Sequence, residues 1–174
     1  MPKNPDRIIS FLKYLNLESD IRDYEVRIGI QKIAFILEQM GAPINYDFEL
    51  RKEGPYSKDL AKDYYDNQNK FANFLTEYEI TNSDKEILDR YLMIMNAERV
   101  ALEAVSTVLF KKLQYDEFAQ VVAKIKVIKP HLSENDVMSA QNKANQLLFK
   151  NEFLTPNLIS EFELWEGARG TPIY

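Results

Sequence analysis

The strongest strand signal in this sequence is the run Ile44-Asn45-Tyr46-Asp47-Phe48-Glu49-Leu50, in which apolar and polar residues alternate strictly. A period of two puts Ile44, Tyr46, Phe48 and Leu50 on one face of an extended chain. Gly54-Pro55 then ends the strand, and residues 77–81 offer a second, short one. One or two strands cannot form a large sheet, so whatever surrounds them must be built from helices.

The remaining apolar residues recur at spacings of three and four, as helices require. Asn4 is placed to cap a first helix with Pro5 at its first position, and Ile8, Phe11, Leu12 and Leu15 follow on one face. A helix over residues 24–40 is apolar around much of its circumference, which places it at the centre of the fold, with Gly41 as its stop. Ser57 is positioned to cap a helix over residues 58–69. Ser83-Asp84-Lys85-Glu86 and Ser133-Glu134-Asn135-Asp136 both read as capping boxes that open helices. Between them lie a helix over residues 97–113 and another that starts near Tyr115 and stops before Pro130. The expected architecture is mainly α: a single helical domain over residues 1–154 with a small β-hairpin. Residues 1–81 form a winged-helix-like half, residues 82–154 a helical half, and residues 155–174 a loop or tail.

Composition narrows the chemistry. With no cysteine and one histidine, the chain has no thiolate nucleophile, disulfide, Fe–S cluster or Cys-based zinc site. No apolar run approaches the roughly 20 residues of a membrane-spanning helix, and no signal-peptide core is visible. A cytoplasmic protein without a cofactor or membrane partner is the expectation. Against 22 Lys and Arg stand 27 Asp and Glu, a formal charge of -5, which disfavours simple coating of nucleic acid.

Specific side chains supply few catalytic candidates. His131 sits alone in Lys129-Pro130-His131-Leu132, and a surface or structural role outweighs a general base there. Asp59, Asp63 and Asp66 share a helix face and could offer oxygens to Mg²⁺ or Mn²⁺, but a solvated acidic face needs only the same spacing. No phosphate loop, dinucleotide fingerprint or nucleophile elbow is present. Candidate phosphate contacts are Arg51, Lys52, Lys111, Lys112, Lys124, Lys126 and Lys129, although lysines near helix C-termini are favoured by the macrodipole alone.

One constellation stands out. Arg27-Ile28-Gly29-Ile30-Gln31-Lys32-Ile33-Ala34-Phe35 precedes Tyr46-Asp47-Phe48 and then Gly54-Pro55-Tyr56-Ser57-Lys58-Asp59-Leu60. This Gln-Lys helix followed by a Gly-Pro-Tyr-Ser turn resembles the bacterial and archaeal YwgA-like proteins, and more distantly the Panacea domain of antitoxins and phage-associated proteins. Leu102-Glu103-Ala104-Val105-Ser106-Thr107, Lys129-Pro130-His131-Leu132-Ser133 and Ala140 extend the resemblance across the second half. The continuation Phe35-Ile36-Leu37 is closer to the YwgA-like form than to the Tyr-Ala-Gln of the Panacea pattern. The resemblance implies a winged-helix-like regulator or a toxin-neutralising adaptor.

The motif also has a physical reading. Gly54 can adopt a positive φ, Pro55 fixes the next φ, and Ser57 caps the helix that follows. Tyr56 is thereby held at a helix entrance, while Gln31 and Lys32 lie on an otherwise apolar helix, suited to a buried polar contact with the turn backbone. Gln31, Lys32, Gly54, Pro55, Tyr56 and Ser57 are accordingly structural or partner-binding candidates, joined by Trp165 in Phe162-Glu163-Leu164-Trp165, a common anchor type. The functional expectation is a non-catalytic, protein-binding regulator of the antitoxin or prophage-associated kind. A winged-helix regulator that binds DNA comes second, and a carboxylate-metal enzyme last.

Overall fold

In the computed structural model, which describes residues 3–95 and 99–149, the architecture is mainly α with one small antiparallel hairpin. Helix α1 (Pro5–Tyr14) starts as its sequence dictates: the Asn4 side chain accepts from the amides of Asp6 and Arg7, with Pro5 in the first turn. It buries Ile8, Ile9, Phe11 and Leu12. Helix α2 (Tyr24–Gln39) is capped by Asp23 and buries seven residues, Gln31 among them. Gly41 follows it at φ +101°, the left-handed position glycine accepts without steric cost.

The hairpin differs from the alternation pattern in a way that has a local cause. Its strands are β1 (Glu49–Arg51) and β2 (Gly54–Tyr56), paired from Glu49–Tyr56 to Arg51–Gly54 across the turn residues Lys52 and Glu53. Residues 44–48 do alternate in burial, with Ile44 and Tyr46 inside and Asn45 and Asp47 outside, but they pair with no strand. Asn45 takes φ +62°, which breaks the extended run, and the Tyr46 amide donates to the Glu38 carboxylate at 3.3 Å. Gly54-Pro55 therefore belongs to the second strand rather than ending the first.

Residues 77–81 are likewise not a strand. Side chains of α1 meet their backbone groups instead. Ser10 Oγ donates to the Tyr78 carbonyl at 2.7 Å, and the Glu77 amide donates to Asp6 Oδ2 at 3.3 Å. The Tyr78 ring stands edge-on to Phe11, with centroids 6.2 Å apart. Once these contacts are made, the segment has no need of a ladder.

Ser57 caps α3 (Lys58–Asp66) through a 3.3 Å bond from the Leu60 amide, and a break at Asn67 separates α3 from α4 (Gln68–Ala72). The single helix expected there is thus two. Helix α5 (Asn82–Met95) opens two residues earlier than its Ser83 pattern suggested. Asp84, buried, accepts from the amide and hydroxyl of Thr81, and the Asp84 amide donates back to Thr81 Oγ1. The reciprocal box is Thr81–Asp84, not Ser83–Glu86.

Helices α6 (Arg99–Lys112), α7 (Phe118–Ile128) and α8 (Glu134–Leu148) complete the described fold. The capping box at Ser133–Asp136 forms as its sequence reads. Helix α6 packs against α2, α7, α8 and β2, so the two halves share one hydrophobic cluster running from Ile8 to Leu147. Leu102 is partly buried and packs against that cluster. No described helix is long and apolar enough to cross a membrane.

Candidate functional site: a tyrosine and arginine cleft on a clamped hairpin

The Gln-Lys pair of α2 grips the hairpin. Gln31 is 3% exposed, and its amide makes two bonds to one residue: Oε1 accepts from the Ser57 amide at 2.8 Å and Nε2 donates to the Ser57 carbonyl at 3.0 Å. A buried primary amide satisfied in this way mimics a strand partner, and it fixes the point where β2 becomes α3. Lys32 uses its stem instead. A Cβ added to Gly54 would lie 3.2 Å from Lys32 Cε and 3.8 Å from Ser106 Oγ, and Gly54 sits at φ +123°. Glycine at this position answers both a backbone requirement and a close approach.

Behind the hairpin lies an ionic cluster on α6. Lys129, 4% exposed, donates to the Lys52 carbonyl and pairs with Glu103 Oε1 at 2.8 Å. His131 Nε2 reaches the same oxygen at 3.2 Å. Burial pushes the Glu103 carboxyl up, but the bonds from Lys129 and His131 and the nearby ammonium charges outweigh it and leave it below the ordinary value. Burial lowers the Lys32 ammonium; Glu103 opposes that shift and Lys129 adds to it. This cluster ties the hairpin to α6 and to the α7–α8 connection.

In front of the hairpin is an open cleft of about 300 Å³. One wall is a stripe on α2, made of Tyr24, Arg27, Ile28 and Gln31. The opposite wall is the hairpin, with Arg51, Glu53, Gly54, Pro55 and Tyr56, and α3 contributes Tyr64 and Tyr65. Both guanidinium groups stack on tyrosines: Arg51 lies 4.0 Å from the Tyr56 ring centre and Arg27 5.5 Å from that of Tyr24. Tyr64 is buried, its phenol pushed up by burial against the opposing influence of the Gln31 amide. Its neighbour Tyr65 is 48% exposed and Tyr24 is 53% exposed. Among the described residues Glu53 is the one carboxylate on the lining, and no imidazole or lysine joins it. The described lining is thus mostly aromatic and guanidinium side chains around a small polar hairpin.

Of the residues singled out from sequence, Gln31, Arg51, Gly54, Pro55 and Tyr56 line this cleft, Ser57 lies just beneath it, and Lys32 lies behind it. Trp165 lies outside the described residues. Tyr24, Arg27, Glu53, Tyr64 and Tyr65 were not anticipated. Tyr24, Arg27, Ile28 and Gln31 nonetheless follow the i, i+3, i+4, i+7 spacing of one helix face, a signal that was present.

The seven basic candidates differ in their partners. Lys129 is buried on Glu103, which corrects its reading as a phosphate contact. Lys126 pairs with Glu134 and Lys112 donates to Asn145. Lys111 and Lys124 flank the Tyr115 ring at 6.0 and 5.9 Å, while Arg51 and Lys52 sit at the hairpin. The three aspartates of α3 also diverge in partner. Asp59 takes Lys3, Asp63 accepts from the Tyr46 hydroxyl at 2.5 Å, and Asp66 takes Lys62 at 2.5 Å. Among the described residues no three or more His, Asp or Glu side chains are grouped to hold a metal. Comparison of the chain with family models, curated proteins and solved structures finds no match.

Proposed function

We propose that this chain is a non-catalytic, protein-binding regulator of the antitoxin or prophage-associated kind that its YwgA-like and Panacea-like residues imply, and that it docks its partner in the tyrosine and arginine cleft. The observation that carries this reading is the composition and rigidity of the cleft. Tyrosine and arginine are the residue types that dominate binding energy at protein interfaces. Here two of the tyrosines are about half exposed, and the hairpin beneath them is held by Gln31 and Lys129. Pre-organised aromatic side chains lose little entropy when a partner covers them.

The winged-helix reading, in which the hairpin tip presents Arg51 and Lys52 to DNA, draws less support. It asks the basic residues to converge on phosphates, whereas Lys111 and Lys124 lie against Tyr115, Lys126 is paired with Glu134 at the surface and Lys129 is buried on Glu103. The test is co-purification of the tagged full-length protein from its native host, followed by reconstitution of the purified pair. A stoichiometric protein whose binding falls at least about tenfold with Arg51→Gln, but not with Lys124→Gln, supports docking in the cleft. Co-purifying DNA released by moderate salt, with no stoichiometric protein, would move the regulator reading into first place.

A further inference from the structure

We propose that the cleft takes an extended peptide segment that is acidic and carries an aromatic side chain beside its carboxylates. This inference rests on the docking reading above and names its ligand. The two arginines set the charge. Arg51 donates to the Glu49 carboxylate from Nε at 2.8 Å and from Nη2 at 2.5 Å, an exposed pair of the kind that contributes little. An incoming carboxylate can therefore take its place with little loss. Among the described residues Arg27 donates through Nη1, to the Ile21 carbonyl at 2.7 Å and the Arg22 carbonyl at 3.1 Å. Its remaining N–H groups lie on a guanidinium already oriented by Tyr24. Guanidinium pairs held by stacking suit carboxylates, which they meet in a planar, two-bonded fashion.

The aromatic surface sets the rest of the ligand. Tyr24 and Tyr65 offer exposed rings, and a cleft of about 300 Å³ has room for one aromatic side chain with its neighbours but not for a folded surface. Glu53 decides between a peptide and a nucleic acid. Its carboxylate lines the same cleft as Arg27 and Arg51, giving mixed charge rather than a uniform positive track. A polyphosphate chain meets repulsion there, whereas a peptide presents backbone N–H donors to it.

The experiment uses the full chain and a fluorescein-labelled peptide of alternating residues, Glu-Phe-Glu-Phe-Glu, followed by fluorescence anisotropy. Controls are the same peptide with Lys for Glu, the same with Ala for Phe, and a labelled oligothymidylate. The account expects saturable binding of the acidic aromatic peptide and binding at least about tenfold weaker for both peptide controls and the oligonucleotide. Arg51→Gln and Tyr65→Ala each weaken it at least about fivefold with unchanged circular dichroism, whereas Glu53→Gln does not weaken it. Absence of binding, equal binding of the lysine peptide, or binding indifferent to both Arg51→Gln and Tyr65→Ala overturns the proposal. So does preference for oligothymidylate. Competition against a reconstituted partner separates the two levels. A partner that is lost in the cleft variants but not displaced by the peptide sinks this ligand class alone. A partner indifferent to the cleft variants sinks the docking reading itself.

Discussion

The two sides of the β1–β2 hairpin have opposite characters. Beneath and behind it, Gln31, Ser57 and Lys129 are buried to within a few per cent, and each directs its polar atoms to an internal partner. In front of it, Tyr24, Tyr65 and Arg51 are exposed and make only ring stacking and a surface ion pair. Buried polar groups are costly to disturb, while exposed aromatic and charged groups contribute little to folding. The contrast separates two kinds of residue around one hairpin: the buried ones fix its geometry, and the exposed ones, which we propose carry recognition, are little used by the fold.

The sharpest way to break this division is at Gln31. Gln31→Ala removes two hydrogen bonds and strands the Ser57 amide, while the Ser57 carbonyl keeps its bond from the Ala61 amide at 3.0 Å, so it should cost about 2–4 kcal/mol in urea denaturation. Gly54→Ala comes next, at about 1–3 kcal/mol by the same assay, because its φ of +123° is hostile to a side chain and Lys32 must yield.

The Glu103 cluster gives a pH dependence. Its carboxyl is held below the ordinary 4.5, so this stabilisation is fully present above that value and is lost as pH falls through the lower, folded one. Thermal unfolding followed from about pH 6 down to about pH 3 should show an acid-side decline that Glu103→Gln flattens. An undiminished decline in that variant would remove Glu103 from the account.

Gly29→Ala should act in the opposite direction. Nothing lies within 4 Å of an added Cβ, so relief of helical glycine should stabilise α2 by about 0.5–1 kcal/mol. Smallest of all, Tyr65→Ala should leave folding stability within about 0.5 kcal/mol, since an exposed ring has few internal contacts to lose.

Local chemistry was well written in the sequence. Asn4, Ser57 and Ser133 cap where their residue types and spacing say they should, and Gly41 and Gly54 take the positive φ reserved for such turns. The failures are tertiary. Alternation at residues 44–50 reports which side chains face inward, but pairing depends on a second strand, and Asn45 with Glu38 diverts the chain before one is met. Residues 77–81 look like a strand until Ser10 and Asp6, nearly 70 positions earlier, claim their backbone groups. Lys129 reads as a helix-end cation, and only the fold brings Glu103 and the Lys52 carbonyl to it. The cleft was half legible, because Gln31 and the Gly54-Pro55-Tyr56 turn stand out as a local motif, while the meeting of Tyr24 and Arg27 with the hairpin and with Tyr64 and Tyr65 is set by the fold.

The most direct test of the central claim, that the front of the hairpin binds and the rear folds, is a paired measurement on the Tyr24→Ala/Tyr65→Ala double variant of the full chain. Its melting temperature and its affinity for the reconstituted protein partner would be compared with those of the unaltered protein. The account predicts melting within about 2 °C and affinity reduced at least about tenfold. A variant that melts far earlier, or that binds its partner as well as before, would contradict it.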